Sequence, residues 1–239
     1  MRDQIDRRPA SSALPLYIQL SEVLIREIAA GRLPDGSRLP PERALAAQYQ
    51  TTVRTLRKSL DILEEKGLLR RVQGSGNYVQ SSAQISSIYS MFRLELRTGG
   101  GLPSAQVLAV DYLAKPADLP RFGTASHATR IRRLRFLNSL PVAVEEIWLD
   151  GAAGRLEAEK LSDSLYLTYR VQLGLRILQA EDYVSIAPIP DWVPPEFARP
   201  ATSPAPFVER YSHADGRGII EYSRNWIDHT RAHYVQRLK

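Results

Sequence analysis

The chain has 239 residues, room for one or two domains, with no cysteine and a formal net charge of +6 at pH 7. The lack of cysteine excludes a disulfide scaffold and a thiolate nucleophile, and fits a reducing, cytoplasmic setting. No stretch approaches the ~20 apolar residues of a membrane helix, and the charged start MRDQIDRRPASS carries no signal-peptide run. The charge is uneven. Residues 1–80 hold 13 Lys+Arg against 9 Asp+Glu, whereas the other 159 hold 19 against 17. That bias suits a nucleic-acid module joined to something else.

In chain order, residues 1–13 read as a basic, disordered arm, either a solvated tail or one whose Arg7 and Arg8 graze phosphates. The spacing of Tyr17, Leu20, Leu24 and Ile28 predicts a helix over 14–30, ended by Gly31. Pro40 and Pro41 suit the first turn of a short helix running to about Tyr49, with Leu45, Ala46 and Tyr49 inward. Residues 50–52 then turn into a third helix. Val53, Leu56, Leu60 and Leu63 form its apolar stripe, Thr52 caps its start and Gly67 ends it. Arg54, Arg57 and Lys58 occupy its first two turns, while Asp61, Glu64 and Glu65 come later. The helix dipole prefers the opposite order. Cations held against that preference are suited to meet an anion, although an isolated helix of this kind is more often a solvated face. LLRRVQGSGNYV follows as a β-hairpin, with Arg70 and Arg71 leading into it as further candidates for DNA contact. Helix, turn, helix and wing together present the later helix to a major groove and the wing to the adjoining backbone or minor groove.

The segments PLYIQLSEVLIREI, LPPERALAAQY, TVRTLRKSLDILEEKGLL and QGSGNYV, in that order, resemble the DNA-binding domain of the GntR repressors over residues 15–79. The resemblance implies that Arg43 meets phosphate. It places Thr52, Arg54, Thr55 and Arg57 on the recognition helix, and Gln73, Gly74 and Ser75 at the wing tip. Val53 departs from the pattern, standing where the family usually has a guanine-reading arginine. That leaves Arg54 as the neighbouring candidate and an operator free to differ from the family consensus.

Residues 81–103 read as a linker and edge segment, with the domain boundary near 81–85. IYSMFRLEL within it suits a short helix or strand. From Ser104 to the end at 239 the pattern becomes strands: 107–112, 128–137, 142–149, part of 173–186, 207–213 and 219–228. Asn138–Ser139 marks one hairpin and Asp215–Gly218 another. A helix over 164–172 has Ser164 as its cap. The whole is an α+β chain: a winged helix-turn-helix over 14–80 and an antiparallel-sheet domain over 104–239.

Arg133 and Arg135 lie two apart on one strand, so they share a face about 7 Å apart. Two guanidiniums there repel unless an anion lies between them, and the planar fork of arginine suits carboxylate or phosphate. The plain alternative is a solvated strand, with Arg130 and Arg132 on its other face. Glu145 shares an apolar face with Ala143, Ile147 and Leu149 and needs a partner. A two-residue turn places it opposite Arg132; a bulge brings it nearer Arg133 or Arg135. Ser164 either caps its helix or offers hydroxyl and N–H to an anion. Residues 188–206 hold seven of the sixteen prolines, predicting an extended insert placed to shape a pocket wall.

The order R-L-R, P-V-A-V-E-E, S-L-Y, G-I-I-E-Y-S and D-x-x-R-x-x-Y resembles the UTRA effector domain over about 85–239. That domain marks the HutC branch of the GntR family and shares the chorismate-lyase fold. The resemblance implies that Arg133 and Arg135 take the anionic end of an effector, that Glu221 is a site glutamate, and that Arg231 and Tyr234 form the C-terminal motif. The proline-rich insert departs from the helix usual there.

These readings converge on a one-component transcriptional regulator, with repression expected. It is expected to be a homodimer on a pseudo-palindromic operator in double-stranded DNA, answering to an anionic small molecule. No catalytic residue, cofactor or metal is expected: His127, His213, His229 and His233 are scattered, and no nucleophile–base pair is evident. The rival is a chorismate-lyase-like enzyme fused to a DNA-binding head, since arginines and a carboxylate could serve that reaction. A third reading is an activator or interaction module with a vestigial pocket.

Overall fold

The computed structural model describes residues 15–80 and 91–237. The N-terminal arm and the boundary expected at 81–85 lie outside them.

The head packs three helices: α1 (Leu16–Ala29), α2 (Glu42–Gln48) and α3 (Val53–Glu65). Leu20, Leu24 and Ile28 of α1 meet Leu56, Leu60 and Leu63 of α3 in one core, joined by Leu45, Ala46 and Tyr49. The third helix starts where Thr52 Oγ1 accepts the Thr55 N–H at 3.1 Å. Gly67, at φ +69°, lets the chain leave past its end. Strands β1 (Leu69–Val72) and β2 (Gly76–Val79) then pair antiparallel as the expected wing.

The second domain opens with β3 (Leu94–Leu96), then β4 (Pro103–Ala114), β5 (His127–Leu137) and β6 (Leu140–Asp150). After α4 (Leu165–Leu173) come β7 (Ile177–Pro188), β8 (Pro204–Ala214), β9 (Gly218–Ile227) and β10 (Ala232–Tyr234). Six strands form an antiparallel sheet in the order β4-β5-β6-β9-β8-β7, while β3 pairs with β10. Of the expected helix or strand near 88–96, the described part supplies a strand, Leu94–Leu96.

The β5–β6 register combines both alternatives left open by the sequence. Asn138 and Ser139 both have positive φ, 48° and 63°, as a tight mirror-image turn requires. The register then shifts by one residue, Phe136 facing Pro141 and Arg135 facing Ala143. This bulge brings Glu145 opposite Arg133 and Glu146 opposite Arg132.

The sheet has two differently covered faces. Arg133, Arg135 and Glu145 share one with Glu221, Ser223 and Asn225 of β9. Leu134, Val144, Phe207 and Trp226 face the other way and are covered by Ile189, Phe197 and Trp192 of the proline-rich insert. The expectation that this insert shapes the pocket wall is therefore corrected. Its fully buried Phe197 sits in a 3-10 turn at Pro195–Phe197 and docks it to the opposite face. The solvated-strand alternative also fails for Arg130 and Arg132, which bond Asp111 and Glu146 at 2.7 Å.

Glu146 is a node on that opposite face. Burial alone would raise its pKa, but hydrogen bonds from Trp148, Arg132 and Arg224 outweigh burial and hold it below the 4.5 of a free glutamate. Its charged form therefore contributes stability that is complete above the unfolded-state pKa and lost as pH falls through the depressed folded value. Thermal melts should show Glu146→Gln well below the parent protein near neutrality, with the gap closing as pH falls below about 4.5. A gap that stays constant would remove Glu146 from this role.

Candidate functional site

The head presents its candidate residues unevenly. Arg43 and Arg54 are exposed and have no ion-pair partner among the described residues. Arg57 is open to solvent, with Nε 2.7 Å from Glu42 Oε2 on α2. An exposed pair of this kind contributes little and exchanges readily. The Thr52 and Thr55 hydroxyls lie 2.9 Å apart at the start of α3. Gln73 and Gly74 are exposed at the wing tip, and Ser75 Oγ is 2.7 Å from the Tyr78 hydroxyl. Arg70 lies over the Tyr78 ring. Arg71 instead turns back to Asp61 and Glu64. The acids late in α3, puzzling from the dipole alone, thus tie the wing to the helix.

In the second domain a cavity of ≈ 90 Å³ opens beside Arg133, Arg135 and Glu145. Each arginine is 4 % exposed. Arg133 pairs with Glu145, and Arg135 Nη1 lies 3.9 Å from the same carboxylate. Both also donate to the Asp163 carbonyl oxygen, Arg135 at 2.8 Å and Arg133 at 3.4 Å. That carbonyl precedes Ser164, whose Oγ accepts the Leu167 N–H and caps α4 at the cavity wall. The two side chains two residues apart are thus fixed by one carboxylate and one stretch of main chain, with their charge directed at the cavity.

The opposite wall is acidic and phenolic. Glu221 is 2 % exposed and accepts from Ser212 Oγ at 2.7 Å, from the Tyr169 hydroxyl at 2.5 Å and from the Tyr166 hydroxyl at 3.4 Å. Burial pushes its pKa up, against the pull of those hydroxyls and of Arg210 and Arg133. Arg210 is clamped by Asp182 at 2.6 and 2.7 Å, and Tyr234 donates its hydroxyl to the same aspartate. Tyr234 lines an adjoining space of ≈ 70 Å³ that shares Phe92, Arg135 and Arg210 with the first. Arg231 pairs with Asp228 and the Pro141 carbonyl instead.

The structure thus brings Arg133, Arg135, Glu145, Ser164 and Glu221 to one cavity, with Tyr234 next door. Sequence reasoning missed Arg210, Tyr166, Asn225 and Phe92. A signal existed for some of them. Glu221, Ser223 and Asn225 recur at every second residue of one strand, and Arg210 sits between Val208 and Ser212 at the same period. Nothing local marked Phe92. Chemically, the site offers guanidiniums for a negative group, and carboxylates with Ser223 and Asn225 for hydroxyls. Among the described residues no group of His, Asp and Glu is placed to hold a metal ion.

Comparison with known proteins places these features. The signature "Bacterial regulatory proteins, gntR family" matches residues 16–79, and that of the UTRA domain matches residues 99–233. The chain is 52 % identical to the HTH-type transcriptional regulator SmoD of Agrobacterium fabrum, over 95 % of this chain and 97 % of that one. It is 28 % identical to the HTH-type transcriptional repressor NagR of Bacillus subtilis, over 65 % and 66 %. The crystal structure of the possible transcriptional regulator YydK of Bacillus subtilis shares the fold: TM-score 0.52 and 20 % identity, over 95 % of this chain and 100 % of that one.

Truncating Glu145 to alanine leaves two buried guanidiniums without their shared carboxylate. Denaturant unfolding should show a loss of about 3–5 kcal/mol. A loss below about 1 kcal/mol, the scale of an exposed pair, would mean that the pair is not buried as described.

Proposed function

The chain belongs to the gntR family of bacterial regulatory proteins, and we propose that it represses transcription as a homodimer on a pseudo-palindromic operator, released by an anionic metabolite. It is a DNA-binding regulator whose UTRA domain answers to a small-molecule effector, not a lyase. The observation that carries the finer reading is the pair Arg133 and Arg135, buried at a cavity and aimed by Glu145 and the Asp163 carbonyl. Glu145 brings one negative charge to two guanidiniums, so the pair keeps an excess of positive charge at the cavity, suited to a carboxylate or phosphate.

In this reading Arg43, Thr52, Arg54, Thr55 and Arg57, with Gln73, Gly74 and Ser75 of the wing, make the operator contacts. Arg70 and Arg71 reach the backbone beside the wing, Arg71 from its place against Asp61 and Glu64. Two heads in successive major grooves require a two-fold dimer. The domains are 14–80 and 104–239, with 81–103 as the joint. The effector's anionic group lies on Arg133 and Arg135 beside the start of α4, and Glu145, Glu221 and Tyr234 shape its polar surroundings. Release follows if the effector binds one head geometry more tightly than the other. Relatives named as repressors support repression over activation.

Two measurements test this. Arg57→Ala should weaken specific binding to the native upstream region by about 1–3 kcal/mol in a gel-shift titration; unchanged binding removes Arg57 from the interface. Arg133→Ala with Arg135→Ala should leave operator binding intact and abolish release by metabolites drawn from the neighbouring genes' pathway. A double variant that still releases DNA at the parent's effector concentration refutes the pocket.

A further inference from the structure

Between the head and the second domain lies another cavity, ≈ 180 Å³, larger than the one beside Arg133. One wall is the C-terminal half of α1. The others are the chain from Phe92 into β3 and the residues that follow β10. Four guanidiniums gather in and around it: Arg26, Arg32, Arg93 and Arg237. Glu27 and Glu95 line it and are already engaged, and Asp182, which acts on Arg93 from beside it, is held by Arg210. Glu27 takes Arg26 at 2.9 Å and Arg32 at 2.5 Å; Glu95 takes Arg32 and Arg237, each at 2.5 Å.

Arg26 is the telling residue. It is 6 % exposed, lines this cavity, and its Nη1 has no hydrogen-bond partner. A buried charged donor without an acceptor is uncommon, because water has been removed and nothing has replaced it. Its neighbourhood is crowded with like charge. Arg93 is held below the usual arginine range by burial first and then by Arg210 and, more weakly, Arg26, with Tyr234 and Asp182 pulling the other way. The unpartnered Nη1 of Arg26, set at this cavity among other guanidiniums, is suited to a negative group.

We propose that this joint cavity binds a small oxyanion, either free phosphate or the phosphate end of a small metabolite, on Arg26 with Arg93 and Arg237 beside it. The ligand would tie α1 of the head to the chain that follows β10. It would also sit across one ring from the effector pocket: Phe92 has the Arg26 guanidinium 5.4 Å from its centroid and that of Arg135 4.9 Å away. Two ligands that share Phe92 as a wall are placed to change each other's affinity.

The test uses isothermal titration of inorganic phosphate into the full-length Arg133→Gln, Arg135→Gln protein, in which the effector pocket keeps only Arg210 of its arginines while every charged residue lining the joint cavity is unchanged. One phosphate should bind per chain. Adding Arg26→Gln should weaken it about ten-fold or more, the scale of one charge-assisted bond. Arg237→Gln, at the more exposed rim, should weaken it several-fold, and serves as the readout if melting shows that Arg26→Gln does not fold. Glycerol 2-phosphate is the second probe: if it binds too, the site takes a phosphomonoester; if only phosphate binds, it takes the free ion. No binding of either probe overturns the site, as does binding that Arg237→Gln leaves unchanged. A second phosphate bound by the parent protein and lost with Arg133 and Arg135 reports on the effector pocket alone.

Discussion

The ion pair between Arg133 and Glu145 is the constraint on which the second domain turns. It forms because a bulge follows the Asn138–Ser139 turn and shifts β6 by one residue against β5. Without that shift Glu145 would face Arg132, on the wrong side of the pleat for the cavity. With it, one carboxylate holds Arg133 and stands near Arg135, while Glu146 serves Arg132 and Arg224 on the far face. Alternate residues of two strands thus sort four arginines into two groups. The group at the cavity then reaches the carbonyl before Ser164, which fixes the start of α4 against the sheet.

Much of this was legible in the residues. The apolar spacing of Val53 to Leu63, the Thr52 cap and the Gly67 exit define α3 from local chemistry alone. So do Asn138–Ser139, Asp215–Gly218 and the Ser164 cap for the second domain. The arginine pair was legible because a period of two on a strand is a geometric certainty. What was not legible depended on distance in sequence. The partner of Glu145 hung on one inserted residue. Arg210 reaches the cavity only because β8 lies beside β9. Phe92 gained its position from packing of the joint, which has no periodic signature.

The proline-rich insert shows how a correct local reading can miss its place. Its lack of regular helix followed from proline chemistry, and apart from the Pro195–Phe197 turn it runs as extended and looping chain. Its destination was set by Ile189, Trp192 and Phe197, which cover Trp226, Phe207 and Val144. The insert therefore closes the sheet's second face, and the cavity face is left to α4, to the β3–β10 pair and to Phe92.

The carboxylates on the head bear on ionic strength. Arg57 carries Glu42 and Arg71 carries Asp61 and Glu64 as resident counter-charges. A guanidinium that arrives at a phosphate already neutralised must first shed its own carboxylate. The steepness with which affinity falls as salt rises reflects the net charge transferred to the duplex. On the proposed operator contacts, tallying every cation on the head would overstate that steepness, because Arg57 and Arg71 differ from Arg43, Arg54, Lys58 and Arg70, which have no ion pair among the described residues.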